Sequence, residues 1–401
     1  MLETAKFAPS VPSDLAATLK SQAASCRFDP IQGNWTIFAP YRQERPHQFN
    51  TIRTPVENEG EDCPFCRGHE SNTPAPVWVG KQVNECARSD TLETLASLAM
   101  TNCLGTVECV DDPEELVDSA NVEWMVRVVP NKYPAISPLG TDANRPSTSS
   151  TNLFKEQTVL GGHEVIIESP IHHKSIVELD ATNLALVFAA YRDRIRHWHD
   201  VDGISYISLF KNSGGEAGAS LVHSHSQLIA TGMMPNRVQL SVNRMLQYRA
   251  QTGCCLQCDL VRAELKDKSR IIAKTDGLVA FCPFASEMPM SIRITTMDHH
   301  DRFETLSDST IESVSFLVKR VASWIERLRP GVSYNYLINT RPPAADDCGE
   351  SYHWSLDIFP RIARIAGFEL SSDCMINSVM PEIAAAQFRG CASAEDPRVV
   401  L

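Results

Sequence analysis

The chain has 401 residues, 37 Lys+Arg against 49 Asp+Glu, a formal charge of −12 and 43% hydrophobic residues. That length can bury a sizeable core in two or three domain-sized units. The negative balance argues against a general nucleic-acid binder, whose affinity would come from a basic surface.

Residues 1–26 read as an N-terminal extension with no apolar core of signal-peptide length, and no later run is long enough to cross a bilayer, so a cytoplasmic protein is expected. Thirteen cysteines, an odd number, cannot all pair within one chain, and a reducing compartment leaves most as thiols or metal ligands. Cys63 and Cys66 in DCPFCRGH have metal-ligand spacing, although a lone C-x-x-C suits redox chemistry equally well. Between Cys66 and Asn131, SDTLETLASLAMTNCLGTVECVDDPEE reads as a helical insertion, a lid or a partner surface. GTDANRPSTSSTN, from Gly140, is rich in turn residues and reads as a loop. From Ile171, IHHKSIVELDATNLALVFAAYRDRIRHWH opens on a histidine pair and enters a helix, with Asp180 as N-cap and Leu184, Val187, Tyr191 and Ile195 on one face.

Strand-like GISYISLFKNSG follows from Gly203. Gly214, Gly215 and Gly218 in NSGGEAGAS permit a tight backbone that turns N–H groups toward an anion, without the lysine of a P-loop. Next comes LVHSHSQLIA, residues 221–230. As a strand it alternates faces, placing His223, His225 and Gln227 on one side and Ser224 and Ser226 on the other. Taken alone, a glycine loop leading into a strand with partly buried histidines would look the same.

The rest of the chain repeats the series. Cys255 and Cys258 stand in CCLQC; DHHDRFETLSDSTIESVSFLVKRVASWIERL follows from Asp298, with Ser307 as cap and Val314, Leu317, Val321, Trp324 and Leu328 as the stripe. Then come GVSYNYLINTRP from Gly331 and HWSLD from His353, at an offset of about 130 residues. Repetition on this scale means two copies of one α/β unit, 27–240 and 241–401. Superposing them pairs His172 with His299 and His223 with His353. One Cys2His2 set per half follows: Cys63, Cys66, His172 and His223, then Cys255, Cys258, His299 and His353. Such sets would close a tetrahedral zinc with no position left for water, so two structural zincs are expected. Two residues beyond the shared histidine the copies diverge, His225 facing Ser355 and Gln227 facing Asp357. His225 is the imidazole left free to react.

These residues resemble the galactose-1-phosphate uridylyltransferase family of the histidine-triad superfamily, which includes the related ADP-glucose phosphorylase. RFDPIQGNWTIFAPYRQERP, CPFC, NKYPAIS, GASLVHSHSQ, SYHWSLDIFP and GFELSSDCMIN match its segments in order from Arg27. The resemblance implies an α+β fold of two tandem histidine-triad-like halves with antiparallel sheets flanked by helices. It implies that His225 attacks the α-phosphorus of a nucleotide sugar of the UDP-glucose type, forming a nucleotidyl-histidine that passes its nucleotide to hexose 1-phosphate. The alternative is phosphorolysis of ADP-glucose, with phosphate as acceptor. A neutral imidazole has the lone pair for attack, and its phosphoramidate is labile enough to be attacked in turn. The resemblance also places Arg42, Arg45 and Asn131 near the nucleotide, and Asn212, Gly218, Ser220 and Gln227 at the phosphates. Members of the family are commonly dimers, so the resemblance points to a homodimer, while the charge and the lack of an apolar span leave no nucleic-acid or membrane partner expected.

Two departures bear on the base and the sugar. Ser224 stands where many uridylyltransferases carry proline, and Ser371, Ser372 and Asp373 stand where relatives often have a glycine-rich turn. His163, in GGHEVIIES, reads as a further substrate contact or a surrogate zinc ligand, behind His172. A histidine-triad hydrolase with water as acceptor, and a zinc-stabilised scaffold without turnover, are the competing readings.

Overall fold

The structure, a computed structural model, describes residues 24–40, 42, 62–82, 107–110, 123–138 and 159–392. Arg45, most of the N-terminal extension, most of the stretch between Gln82 and Glu123, and the loop from Gly140 lie outside the described residues.

Strands β1 (Ser25–Phe28) and β2 (Trp35–Phe38) form a small sheet that is completed by β15 (Met375–Asn377) from the far end of the chain. Twelve further strands form one large sheet. The first half supplies β3 (Trp78–Gln82), β4 (Val107–Val110), β5 (Trp124–Pro130), β6 (Ser137–Pro138), β7 (Leu160–Ile167), β8 (Tyr206–Ser213) and β9 (His225–Thr231). The second supplies β10 (Ile271–Thr275), β11 (Leu278–Phe281), β12 (Ile292–Thr296), β13 (Tyr334–Asn339) and β14 (Ser355–Pro360). Their order is β4-β3-β5-β7-β9-β8-β13-β14-β12-β11-β10, with β6 beside β7. Every neighbour on that path is antiparallel, as the α+β expectation required. The two halves do not build separate sheets. β8 and β13 pair, with Asn212 opposite Asn335, and join both into one.

Two long helices cover one face. In α1 (Ala181–His199) the Asp180 carboxylate accepts from the Asn183 N–H, satisfying a donor that the first turn leaves unpaired. Among the later helices, α2 (Asn236–Thr252), α3 (Leu256–Asp267) and α4 (Asp308–Leu328), the last is capped by Ser307 on the Thr310 N–H. The expected stripes Leu184, Val187, Tyr191, Ile195 and Val314, Leu317, Val321, Trp324, Leu328 are all buried in a core shared with Val128, Leu209, Leu228, Ile294 and Leu356 of the sheet. Each such aliphatic contributes about 1.5–3 kcal/mol relative to exposure. Two short helices, α5 (Gly367–Ser372) and α6 (Pro381–Ala392), end the described chain. The boundary expected at residue 240 lies inside α2. Among the described residues no helix is long and apolar enough to cross a membrane.

Alternation then fixes what the other face carries. In β9, Leu228 and Ala230 enter the core beneath the helices, so His225 and Gln227 point to the opposite side. In β8, Ile207 and Leu209 enter the same core, so Ser208, Phe210 and Asn212 join His225 on the outer face.

Candidate active site and metal centres

The expected strand over residues 221–230 needs a correction: β9 begins at His225, and His223 lies on a bend before it. The Ser224 N–H is bonded to the His173 carbonyl, 2.7 Å, which takes the backbone out of the ladder one residue before His225. The bend lets His223 turn to the cysteine loop while His225 stays on the sheet.

Both four-residue sets assemble. The ligand atoms of Cys63, Cys66, His172 and His223 lie within 4.8 Å of one another, as do those of Cys255, Cys258, His299 and His353. His223 Nδ1 is 3.5 Å from each thiol of its set, and His172 Nδ1 is 3.4 Å from Cys66 Sγ. In the second set His299 and His353 Nδ1 are each 3.3 Å from Cys258 Sγ. Tetrahedral zinc bonds of about 2.3 Å to sulfur and 2.05 Å to nitrogen give an S···N edge of about 3.6 Å, which the spacing nearly matches. The outer nitrogens are also suited to ligation. His223 Nε2 donates to the Ser169 carbonyl at 2.9 Å and His299 Nε2 to the Gly349 carbonyl at 3.1 Å, while His353 Nε2 meets Thr296 Oγ1 at 2.9 Å. A proton held on Nε2 leaves the Nδ1 lone pair for a metal.

The first cluster is coupled to His225 through Phe65, the residue after Pro64 in the cysteine loop. Its ring meets His223 and His225 edge-on, with centroids 5.9 and 5.3 Å away. The His225 ring donates Nδ1–H to the carbonyl of His223 at 2.7 Å. A carbonyl can only accept, so Nδ1 carries the proton and Nε2 the lone pair. The side chain is buried, and that burial holds the ring below the usual histidine range, with the His223 carbonyl opposing.

Behind His225, on the core side, lies a charged network absent from the sequence-based site. Lys211 Nζ donates to Glu168 Oε2 (2.5 Å), Ser224 Oγ (3.0 Å) and the His225 carbonyl (3.0 Å). Glu168 also accepts from Ser224, Ser226 and Tyr191 at 2.5, 2.5 and 2.8 Å. Ser224 and Ser226 therefore do occupy the face away from His225, as alternation predicts. Burial opposes ionisation of Glu168, but Lys211 and the hydroxyls outweigh it and hold the carboxyl below the ordinary glutamate value. The signal was present in the sequence: a lysine inside the alternating strand YISLFKNS, and a glutamate ending the apolar run of β7.

On the outer face, Asn212 Oδ1 accepts from Asn335 Nδ2 at 2.8 Å, and the same nitrogen donates to the Ala217 carbonyl at 2.8 Å. Asn335 thus ties the glycine loop to β8 from the second half, a role the sequence did not reveal. Gly214 and Gly218 have φ of 84° and 90°, the left-handed region that glycine enters without a Cβ clash, and a Cβ on Gly214 would lie 2.3 Å from Ser333 Oγ. Gln227 and Asn131 converge on His163: Gln227 Oε1 is 2.9 Å and Asn131 Nδ2 3.1 Å from His163 Nε2. His163 therefore belongs with the outer-face residues and is not a metal ligand, which corrects the surrogate-ligand expectation. Ser220 is exposed on the loop leading to His223, and Arg42 is exposed after β2; among the described residues no hydrogen bond joins the Arg42 side chain to His225.

The corresponding place in the second half is occupied differently. Ser355 accepts from Asn339, 3.1 Å, and Asp357 forms a two-point ion pair with Arg293 at 2.7 and 2.8 Å. A cavity of about 490 Å³ lies over these residues and reaches Asn212 and Asn335.

Residues 118–235 match the family model for the N-terminal domain of galactose-1-phosphate uridyl transferase. Among curated proteins the chain is similar to ADP-glucose phosphorylase of Arabidopsis thaliana, 31% identical over 93% of this chain and 94% of that protein. The chain belongs to the galactose-1-phosphate uridylyltransferase family. Members of this family are nucleotidyltransferases, and so is this protein. The family also accounts for the likeness to galactose-1-phosphate uridylyltransferase of Thermotoga maritima, 23% identical over 90% of this chain and 97% of that one. Among solved structures, an ADP-glucose phosphorylase from Arabidopsis thaliana with bound ADP-glucose has a TM-score of 0.70 at 28% identity, covering 92% of this chain and 99% of that one. A uridylyltransferase structure has the same fold at a TM-score of 0.62 and 21% identity, over 93% and 100% of the two chains.

Proposed function

We propose that this family member transfers a nucleoside monophosphate from a nucleotide sugar to a phosphate-bearing acceptor through a covalent nucleotidyl-histidine on His225. The observation that carries the reading is the Nδ1–H bond from His225 to the His223 carbonyl, which puts the attacking lone pair on Nε2 and supports the ring as it becomes positive. In the first step Nε2 forms a bond to the α-phosphorus and the bond to the bridging oxygen breaks, releasing hexose 1-phosphate. In the second, an acceptor phosphate oxygen forms the new bond and the P–N bond breaks, returning a neutral His225.

The other residues position and neutralise, which is most of what phosphoryl transfer asks of a protein. Asn212 has its carboxamide oxygen occupied by Asn335, so its amide hydrogens remain for a phosphate oxygen. The Ser220 hydroxyl supplies a further donor and Gln227 adds its own, while the Ala217, Gly218 and Ala219 N–H groups hold the glycine loop itself through the Gly214 and Gly215 carbonyls. Arg42 and Arg45 stay with the nucleotide, as the resemblance implies. Zinc is the metal proposed for both Cys2His2 sets; its part is to hold the cysteine loop and His223 in place, with no role in bond-making.

For the donor, the likeness to ADP-glucose phosphorylase at 31% identity, against 23% for a uridylyltransferase, favours adenylyl transfer from ADP-glucose to inorganic phosphate. Uridylyl transfer from UDP-glucose to a hexose 1-phosphate is the second reading, carried by the family model over residues 118–235. Intact-protein mass spectrometry after brief incubation with either donor and no acceptor, quenched in mild alkali, separates them. An AMP adduct that is absent in His225→Ala supports the first reading and a UMP adduct the second. Steady release of nucleoside monophosphate without acceptor would point to hydrolysis. A cytoplasmic homodimer belongs to the same proposal, and sedimentation analysis checks the dimer.

A further inference from the structure

A backbone N–H decides which nitrogen of the His163 ring accepts. The Ala135 N–H points at Nδ1 from 3.1 Å, and a peptide N–H can only donate. Nδ1 therefore accepts and Nε2 carries the proton. The atom 2.9 Å from Nε2 is then an acceptor, which fixes the Gln227 side chain with Oε1 on His163 and its NH2 group turned away. Asn131 is fixed by the same kind of reasoning: its Oδ1 accepts from the Tyr133 N–H at 2.8 Å, leaving its NH2 hydrogens without a lone pair on His163 to donate to. The backbone closes the arrangement, the Asn131 N–H donating to the His163 carbonyl at 2.7 Å.

Gln227 follows His225 by two residues on the same face of β9, about 7 Å along the strand. A carboxamide there can present either an oxygen or an NH2 group to an anion, and only the second is attractive. We infer that His163 is a positioning residue that acts through Gln227, holding the carboxamide so that its NH2 group faces the phosphoryl group passing through His225. This rests on the proposed nucleotidyl transfer. It also makes two carboxamides on this face alike, since Asn335 occupies the oxygen of Asn212 as His163 occupies that of Gln227.

Ring ¹⁵N NMR of the free protein should show His163 as the Nε2–H tautomer, and an Nδ1–H tautomer would overturn the assignment. In turnover, His163→Ala and Gln227→Ala should each lower kcat/KM on the order of 10²-fold, the scale for losing one donor to a developing charge. The double variant should be no worse than the poorer single one, because both act through one amide. Losses that multiply would assign His163 a separate structural role and sink the proposal. His163→Asn, which retains an amide donor, should recover part of the loss. If His163→Ala fails to fold by melting and metal content, His163→Asn and Gln227→Ala form the cycle instead. A wild-type protein that forms no nucleotidyl-histidine refutes the functional reading and the turnover role together, while the tautomer, read without turnover, still tests the proton assignment at His163.

Discussion

Lys211 Nζ lies 3.0 Å from the carbonyl oxygen of His225, so the strand that carries the candidate nucleophile is anchored from behind by a buried ammonium. The charge is balanced by Glu168, which is fully buried and takes hydrogen bonds from three hydroxyls as well. Removing one partner of a buried pair strands the other, at a cost of about 3–5 kcal/mol. Lys211→Met and Glu168→Gln should each lower the urea midpoint accordingly, and a loss below about 1 kcal/mol in both would mean that the pair is not held as charges.

The same carboxyl gives an acid dependence with a definite sign. Its folded-state pKa lies below the ordinary value of 4.5, so the stabilisation is fully present above that value and is lost as pH falls through the folded-state pKa. Stability curves of the wild type and Glu168→Gln should therefore approach one another as pH drops below about 4.5, the ordinary carboxyl value. A constant gap across that range would contradict the assignment.

His223 and His225 are two residues apart but should fail differently. On the proposed zinc sites, His223→Ala should lower bound zinc by about one ion per chain, together with a clear drop in melting temperature. His225→Ala should keep both metals and the fold while losing the nucleotide adduct. Elemental analysis beside calorimetry checks both, and full transferase activity in His225→Ala would end the proposed mechanism.

Asn335 lies in the second half yet holds two parts of the site, Asn212 and the Ala217 carbonyl. Asn335→Asp replaces the donor with an acceptor facing two oxygens, so it should reduce kcat/KM more than Asn335→Ala does, by roughly a further tenfold, equivalent to about 1.4 kcal/mol. Equal effects would mean that the donor is not what matters there.

Asp373 ends α5 with φ of 55°, in the left-handed region. Asp373→Gly should raise stability by about 0.5–1 kcal/mol, the usual relief when glycine takes such a position. Thermal melts suffice to test it, and destabilisation would show that the aspartate makes a compensating contact.

The parts of this molecule that the sequence disclosed are those whose chemistry is local. The caps at Asp180 and Ser307, the helical stripes, and both C-x-x-C pairs with their histidines are written in short spacings that repeat. The extent of the strand at 221–230 misled because the alternating pattern continues through His223 while the Ser224 N–H bonds outside the ladder. Glu168, Lys211 and Asn335 were harder still, since Lys211 lies in β8, Asn335 in β13 and Glu168 just past the end of β7, and only the order of strands unites them with their partners. His163 could be seen as chemically notable, but its choice of Gln227 over the cysteines follows from the register that sets His163 opposite Ile229, one place from Leu228 and two from Gln227.

The pairing of β8 with β13 has a consequence for how the two copies could diverge. Each of these strands would otherwise end its half with a row of unsatisfied N–H and C=O groups, the feature that drives strands of separate molecules to aggregate. The second half is thus a permanent guard for the first half's exposed margin. Its own centre carries Ser355 and the Arg293–Asp357 pair where the first half has His225 and Gln227, while β13 stays committed to covering the edge of β8.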